Sequence, residues 1–355
     1  MTTAQSIILL FEDTEANARQ IEQFLDPKLS NKFKLAIFAT DKPVTEASFV
    51  QRLKDELGRY GDISLIVSDM DLSKTQGYKG LTDAIITRVA HDLGIPTAYY
   101  STALAAQEGH RQDQAGDGRI LLGAAEYPLI AHRISVLAEG FAEIKQKIVE
   151  ILKMPPAQRP QSAAEFVAEL IGRKETFQRV GLYVSGDQRI GAEILSSPKD
   201  RGASRQAMIF GTWIFDSLMR YPGVFVNRTA AASYLNINPE QFSSHEIFSL
   251  WTDALYSGPF ADQESPLFWR DKLDRMLSSA GADDGREYVI GKEIFAEPCY
   301  CSVDPTVEAG YFCMVTEKPV SYENSVGNVS WFPPGADLAR ISVPKYEELA
   351  PWLSA

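Results

Sequence analysis

The first 150 residues predict an α/β fold, a parallel sheet with helices on both faces, followed by an α+β region. Three observations carry this. Short apolar runs recur, of the kind seen in strands that are covered on both sides. Amphipathic helical patterns separate them, which gives the βα alternation of a sheet with right-handed crossovers. A Pro-rich stretch at 153–163 then breaks the pattern, and the aromatic load rises beyond it, with all five Trp in the second half.

The elements follow in order. Ile7 to Phe11 is an uninterrupted apolar run and the first strand; Glu12 and Asp13 end it. Thr14 stands where it can cap the next helix, and Ala16, Ile21, Phe24 and Leu25 give that helix a stripe to bury. Phe33 to Ala39 reads as the second strand and Phe49 to Tyr60 as a helix. Ile63 to Val67 is a third apolar strand that runs into Ser68-Asp69. Leu81 to Leu93 is a helix closed by Gly94, and Ile95 to Ser101 is the fourth strand. Ile120 to Leu122 is a short fifth strand, and Leu129 to Leu152 a long amphipathic helix. The domain plan is therefore 1–152, a linker at 153–163, and 164–355.

Composition narrows the function. With 45% apolar and 23% charged residues the chain has the profile of a globular protein. No run of about 18 uncharged apolar residues suggests a membrane span. No basic leader precedes the first apolar run, and three cysteines cannot build a disulfide framework, so a cytoplasmic, reducing setting is expected. Residues 1–150 carry 16 basic against 21 acidic side chains, and the remainder 19 against 26. Neither half has the positive footprint of a nucleic-acid binder.

In an open parallel sheet the ligand site lies beyond the carboxyl ends of the strands, where the strand order reverses. Glu12, Asp13, Asp69 and Ser101 all fall at such ends. Three carboxylates gathered there repel one another unless a cation sits among them. A hard divalent ion with oxygen ligands, Mg²⁺ above all, removes the conflict.

These residues resemble the response-regulator receiver family. Glu12-Asp13 is similar to its acidic pair. Leu65 to Leu72, with Asp69 at its centre and Gly77 eight positions on, is similar to its phosphoacceptor strand and loop. Ile95-Pro96-Thr97-Ala98-Tyr99-Tyr100-Ser101 is similar to its fourth strand with the terminal Ser/Thr. The resemblance covers residues 5–150 and implies a flavodoxin-like five-stranded parallel sheet in the order 2-1-3-4-5. It implies that Asp69 accepts a phosphoryl group from a histidine kinase or phosphotransfer protein in two-component signalling. It also implies that Glu12, Asp13, Asp69 and the backbone carbonyl of Asp71 hold Mg²⁺. Ser101 would sense the phosphoryl group, and pairing of two copies through the fourth and fifth strands is a further implication. The chain departs from the family at two positions. Gly123 stands where the family has Lys, and Ile120 where it has a switching aromatic residue. Both departures favour an alternative, a receiver without phosphotransfer that serves as a protein-docking scaffold.

Other candidates read as structural. Cys299-Tyr300-Cys301 and Cys313 lack the further ligands of a metal site and read as buried thiols. His91, His110, His132 and His245 are scattered. Arg228 to Phe242 has a loose likeness to a helix-turn-helix, but its second segment, Pro239 to Phe242, carries Glu240 and no cation, which points to packing. Beyond the linker, helices are expected at Ala164 to Ile171, Ala207 to Met219, Ile247 to Leu255, Leu267 to Leu277, Ala336 to Ile341 and Tyr346 to Leu353. Strands are expected at Glu287 to Ile294, Glu297 to Val303 and Gly310 to Thr316. This half shows no catalytic constellation. It reads as the partner that the first domain controls, or as an effector enzyme or nucleic-acid binder whose motif is not legible.

Overall fold

The computed structural model describes residues 5–39, 49–72, 81–101, 120–122, 126–187, 190 and 202–353. The chain divides into two compact units, residues 1–159 with 192–216, and residues 160–191 with 217–355.

The first unit is built on strands β1 (Ser6–Phe11), β2 (Phe33–Ile37), β3 (Ile63–Asp69), β4 (Thr97–Tyr100) and β5 (Ile120–Leu121). All pair in parallel, in the order β2-β1-β3-β4-β5. This is the flavodoxin-like arrangement expected. Side chains alternate faces along each strand, and both faces of β1 are buried. Ile7, Leu9 and Phe11 pack with helices α2 (Phe49–Gly58) and α3 (Asp83–Leu93) in one cluster through Leu53, Leu57, Ile86 and Val89. Ile8 and Leu10 face the other way and are fully buried. Helices α1 (Glu15–Leu25) and α4 (Tyr127–Lys153) pack on each other, α1 also against β2 and α4 against β3. A sheet covered on both faces explains why the strands read as unbroken apolar runs. Helix α1 buries Ala18, Ile21 and Leu25; Ala16 and Phe24, expected on that stripe, are exposed. They fall off the face that the 3.6-residue period through Ile21 and Leu25 defines.

Helix α3 has both of its ends specified. The Thr82 hydroxyl accepts the N–H of Ile85, and Gly94 closes the helix in the left-handed region at φ 71°. Two helices, α5 (Ala163–Leu170) and α6 (Phe177–Ser185), fall within the second unit, and α7 (Ala203–Trp213) returns to the first, where it packs on α4. Helix α7 continues as a π-helical turn over Ile214–Leu218.

The second unit is α+β and centres on a fully buried Trp251. Phe242 and Phe268 lie in the same cluster, as do Ala230, Ala231 and Ala232 of α8 (Arg228–Tyr234). A four-stranded mixed sheet has the order β10-β11-β8-β9, with strands β8 (Tyr311–Cys313), β9 (Pro319–Val320), β10 (Ser325–Val326) and β11 (Ala339–Ser342). Strands β6 (Phe225–Asn227) and β7 (Leu267–Trp269) form an antiparallel pair. Several expectations are corrected here. Residues 287–294, read as a strand, lie largely in a helix, Gly285–Ile290, whose Asp284 side chain accepts the N–H of Glu287. Such a cap overrides the β-branched and aromatic composition that suggested a strand. Glu297 to Val303 contributes only an isolated bridge at Tyr300. Leu267 to Leu277 divides into β7 and a helix over Arg270–Ala280. Residues 336–341, read as a helix, end in strand β11, which pairs with β8 and β10. Ala230 to Ser233 are all buried, so the segment that resembled a helix-turn-helix is core packing. The three thiols are buried as expected.

Two predictions follow from this framework. Gly94→Ala places a Cβ 3.0 Å from the Arg205 backbone in a left-handed conformation. It is expected to destabilise the first unit by about 1–2 kcal/mol, read as a shift in the denaturant midpoint. The second concerns Asp62, whose Oδ2 accepts the Ser6 hydroxyl at 2.7 Å and whose Oδ1 lies 3.4 Å from Lys145. The Ser6 bond, opposed by partial burial and aided by Lys145, holds this carboxyl below its ordinary range. A lowered carboxyl stabilises the fold above its unfolded pKa, and that contribution is lost as pH falls through the folded value. Ser6→Ala should therefore cost up to about 1 kcal/mol at neutral pH, and the difference from wild type should vanish once Asp62 is protonated. Urea titrations at neutral and acid pH check it.

Candidate metal centre

The strand order reverses between β1 and β3, so their carboxyl ends flank the crevice in which open α/β sheets hold ligands. Register fixes what stands there. Phe11 pairs with Ser68, which places Glu12 and Asp13, just past β1, beside Asp69, the last residue of β3. Glu12 (3% exposed), Asp13 (6%) and Asp69 (9%) are all withdrawn from solvent. One oxygen of each lies within 4.8 Å of the others. Below them the Phe11 and Phe38 rings stack at 4.3 Å and form an apolar floor.

Each carboxylate also engages local donors. Glu12 Oε1 accepts the Thr14 N–H at 2.8 Å, and Glu12 Oε2 accepts the Tyr100 hydroxyl at 2.5 Å. Thr14 stands at the N-cap position of α1 but makes no side-chain capping bond there; its hydroxyl donates to Asp13 Oδ1 at 3.4 Å. The Asp71 N–H donates to Asp69 Oδ1 at 3.3 Å, while the Asp71 side chain is exposed.

Tyr100 was not singled out by the sequence. It ends β4 and pairs with Asp69 across the sheet; Ser101, the residue that was singled out, follows it and is half-buried. The Tyr100 ring is buried, and burial first, then the Glu12 carboxylate, pushes its phenol far above the usual range. It is thus a neutral donor at any physiological pH. The available signal was an aromatic residue with a polar tip at the last position of an apolar strand.

Gly77, Gly123, Arg111, Arg119 and His110 lie outside the described residues. Ile120 is buried in β5. An all-oxygen set of three buried carboxylates suits a hard divalent cation and offers no soft ligand. Among the described residues no other group of three or more acidic, His or Cys side chains converges in this way. No described helix is long and apolar enough to cross a membrane. Comparison of the chain with protein-family models, curated proteins and solved structures finds no match.

Neutralising one of three crowded carboxylates relieves their repulsion. Asp69→Asn is therefore expected to raise the melting temperature of the cation-free protein. Wild type should gain about 2.7 kcal/mol from Mg²⁺ at 100 times its Kd, and the variant far less. Thermal melts with and without Mg²⁺ decide it; a variant that melts lower without cation and gains as much as wild type from Mg²⁺ contradicts the assignment.

Proposed function

We propose that the first unit is a receiver-like signalling module in which Asp69 accepts a phosphoryl group and thereby controls the second unit. The observation that carries this is the convergence of Glu12, Asp13 and Asp69 at the strand-order reversal of a 2-1-3-4-5 parallel sheet. In the reaction an Asp69 carboxylate oxygen attacks the phosphorus of a phosphohistidine donor. The O–P bond forms, the P–N bond breaks, and the released imidazole takes a proton from water. Glu12, Asp13, Asp69 and the Asp71 carbonyl would hold Mg²⁺, whose charge offsets that of the phosphoryl oxygens. Ser101, at the end of β4, would hydrogen-bond the transferred group. The donor is a histidine kinase or a phosphotransfer protein. Gly123 provides no cation for the phosphoryl oxygens, so transfer is slower than in a receiver with Lys there.

A second reading, a docking scaffold without phosphotransfer, is favoured by one observation. Ile120 is 2% exposed, so the residue at the family's switch position is part of the core and has no polar tip to move.

Acetyl phosphate with Mg²⁺ separates the two. The wild-type chain should gain the mass of one phosphoryl group and Asp69→Asn none. A wild type that stays unmodified under conditions where it binds Mg²⁺ overturns the phosphoacceptor role and leaves docking.

A further inference from the structure

We propose that Tyr100 is a positioning residue that makes the carboxylate pocket selective for a small, octahedral divalent cation over a large one such as Ca²⁺. The inference rests on the cation-binding reading above and adds to it the chemistry of the preferred ion.

The argument starts from Glu12. Its two oxygens each accept a hydrogen bond, one from the Thr14 backbone and one from Tyr100. The Thr14 amide is fixed where the chain enters α1. The Tyr100 ring is fixed in the interior, on a strand residue paired with Asp69. Two donors from separate elements thus set the plane of the Glu12 carboxylate and each take up a lone pair. Glu12 cannot turn to chelate an ion through both oxygens. It can offer one oxygen, or meet the ion through water.

That restriction discriminates between cations. Ca²⁺ takes six to eight oxygens and commonly gains them from bidentate carboxylates in flexible sites. Mg²⁺ takes six in near-ideal octahedral geometry, keeps several waters and needs only one or two carboxylates. With Glu12 clamped, Asp13 and Asp69 remain as the freer ligands, which meets the second requirement and not the first. Partners of this kind act through the ligand they orient.

The test is calorimetric titration of the full chain with MgCl₂ and with CaCl₂, for wild type and Tyr100→Phe, with far-ultraviolet circular dichroism to establish that the variant folds. Wild type should prefer Mg²⁺. Tyr100→Phe should lose about tenfold in Mg²⁺ affinity while holding or gaining Ca²⁺ affinity, so that the preference narrows. A second measurement needs no variant. Drawing charge from Glu12 alters its bond to Tyr100, so saturating Mg²⁺ should perturb the near-ultraviolet tyrosine absorbance of wild type. A folded variant with wild-type selectivity, or a wild-type tyrosine spectrum unmoved at saturating Mg²⁺, overturns the role of Tyr100 and leaves the cation site standing. A wild type that binds neither ion removes the site itself, and the signalling reading with it.

Discussion

Like charges held close together in a dry place are what the first unit has to accommodate. Three carboxylates within 4.8 Å, all nearly buried, are an unfavourable arrangement for a chain that folds without a compensating charge. The sheet imposes it. Strands β1 and β3 are neighbours because the order reverses between them, and both end in acids, so side chains far apart in the chain are driven to one point. The surrounding donors follow from that crowding. The amides of Thr14 and Asp71 and the hydroxyl of Tyr100 each place a hydrogen-bonding dipole on a carboxylate oxygen. Dipoles moderate the repulsion but add no net positive charge, which is why the geometry points to an ion.

The second unit meets its requirements by other means. Its core is aromatic, with Trp251 fully buried among Phe242, Phe268 and the small residues of α8. Its buried charge is paired: Arg173 is 7% exposed, lies 2.8 Å from Asp271 and sits over the Trp269 ring. Opposite charges in contact need no exogenous partner, although their desolvation offsets much of the attraction. One unit is thus internally compensated, and the other carries acids that call for something from outside.

What could be read from the sequence, and what could not, divides along the same physical line. Ile7 to Phe11 and Ile63 to Val67 announced themselves because a strand buried on both faces tolerates no polar interruption. The acids at their ends stood out against that background. Tyr100 did not, because aromatic residues are ordinary in strands and only the register shows its hydroxyl reaching Glu12. Beyond the linker the strands are two to four residues long and the sheet is mixed, so no periodicity develops. There local capping decided matters, as at Asp284, where a side chain starts a helix in a segment whose composition favours β structure. Strand β11 is another case, since its pairing with β8 and β10 is non-local and invisible to short-range patterns.

The chain has only three cysteines, Cys299, Cys301 and Cys313; all are buried, and all lie in the second unit. A thiol-directed alkylating reagent therefore reaches them only when that unit opens, and nothing in the first unit can react in their place. Labelling kinetics in native buffer become a local stability gauge for the second unit, with the wild-type chain as its own reporter.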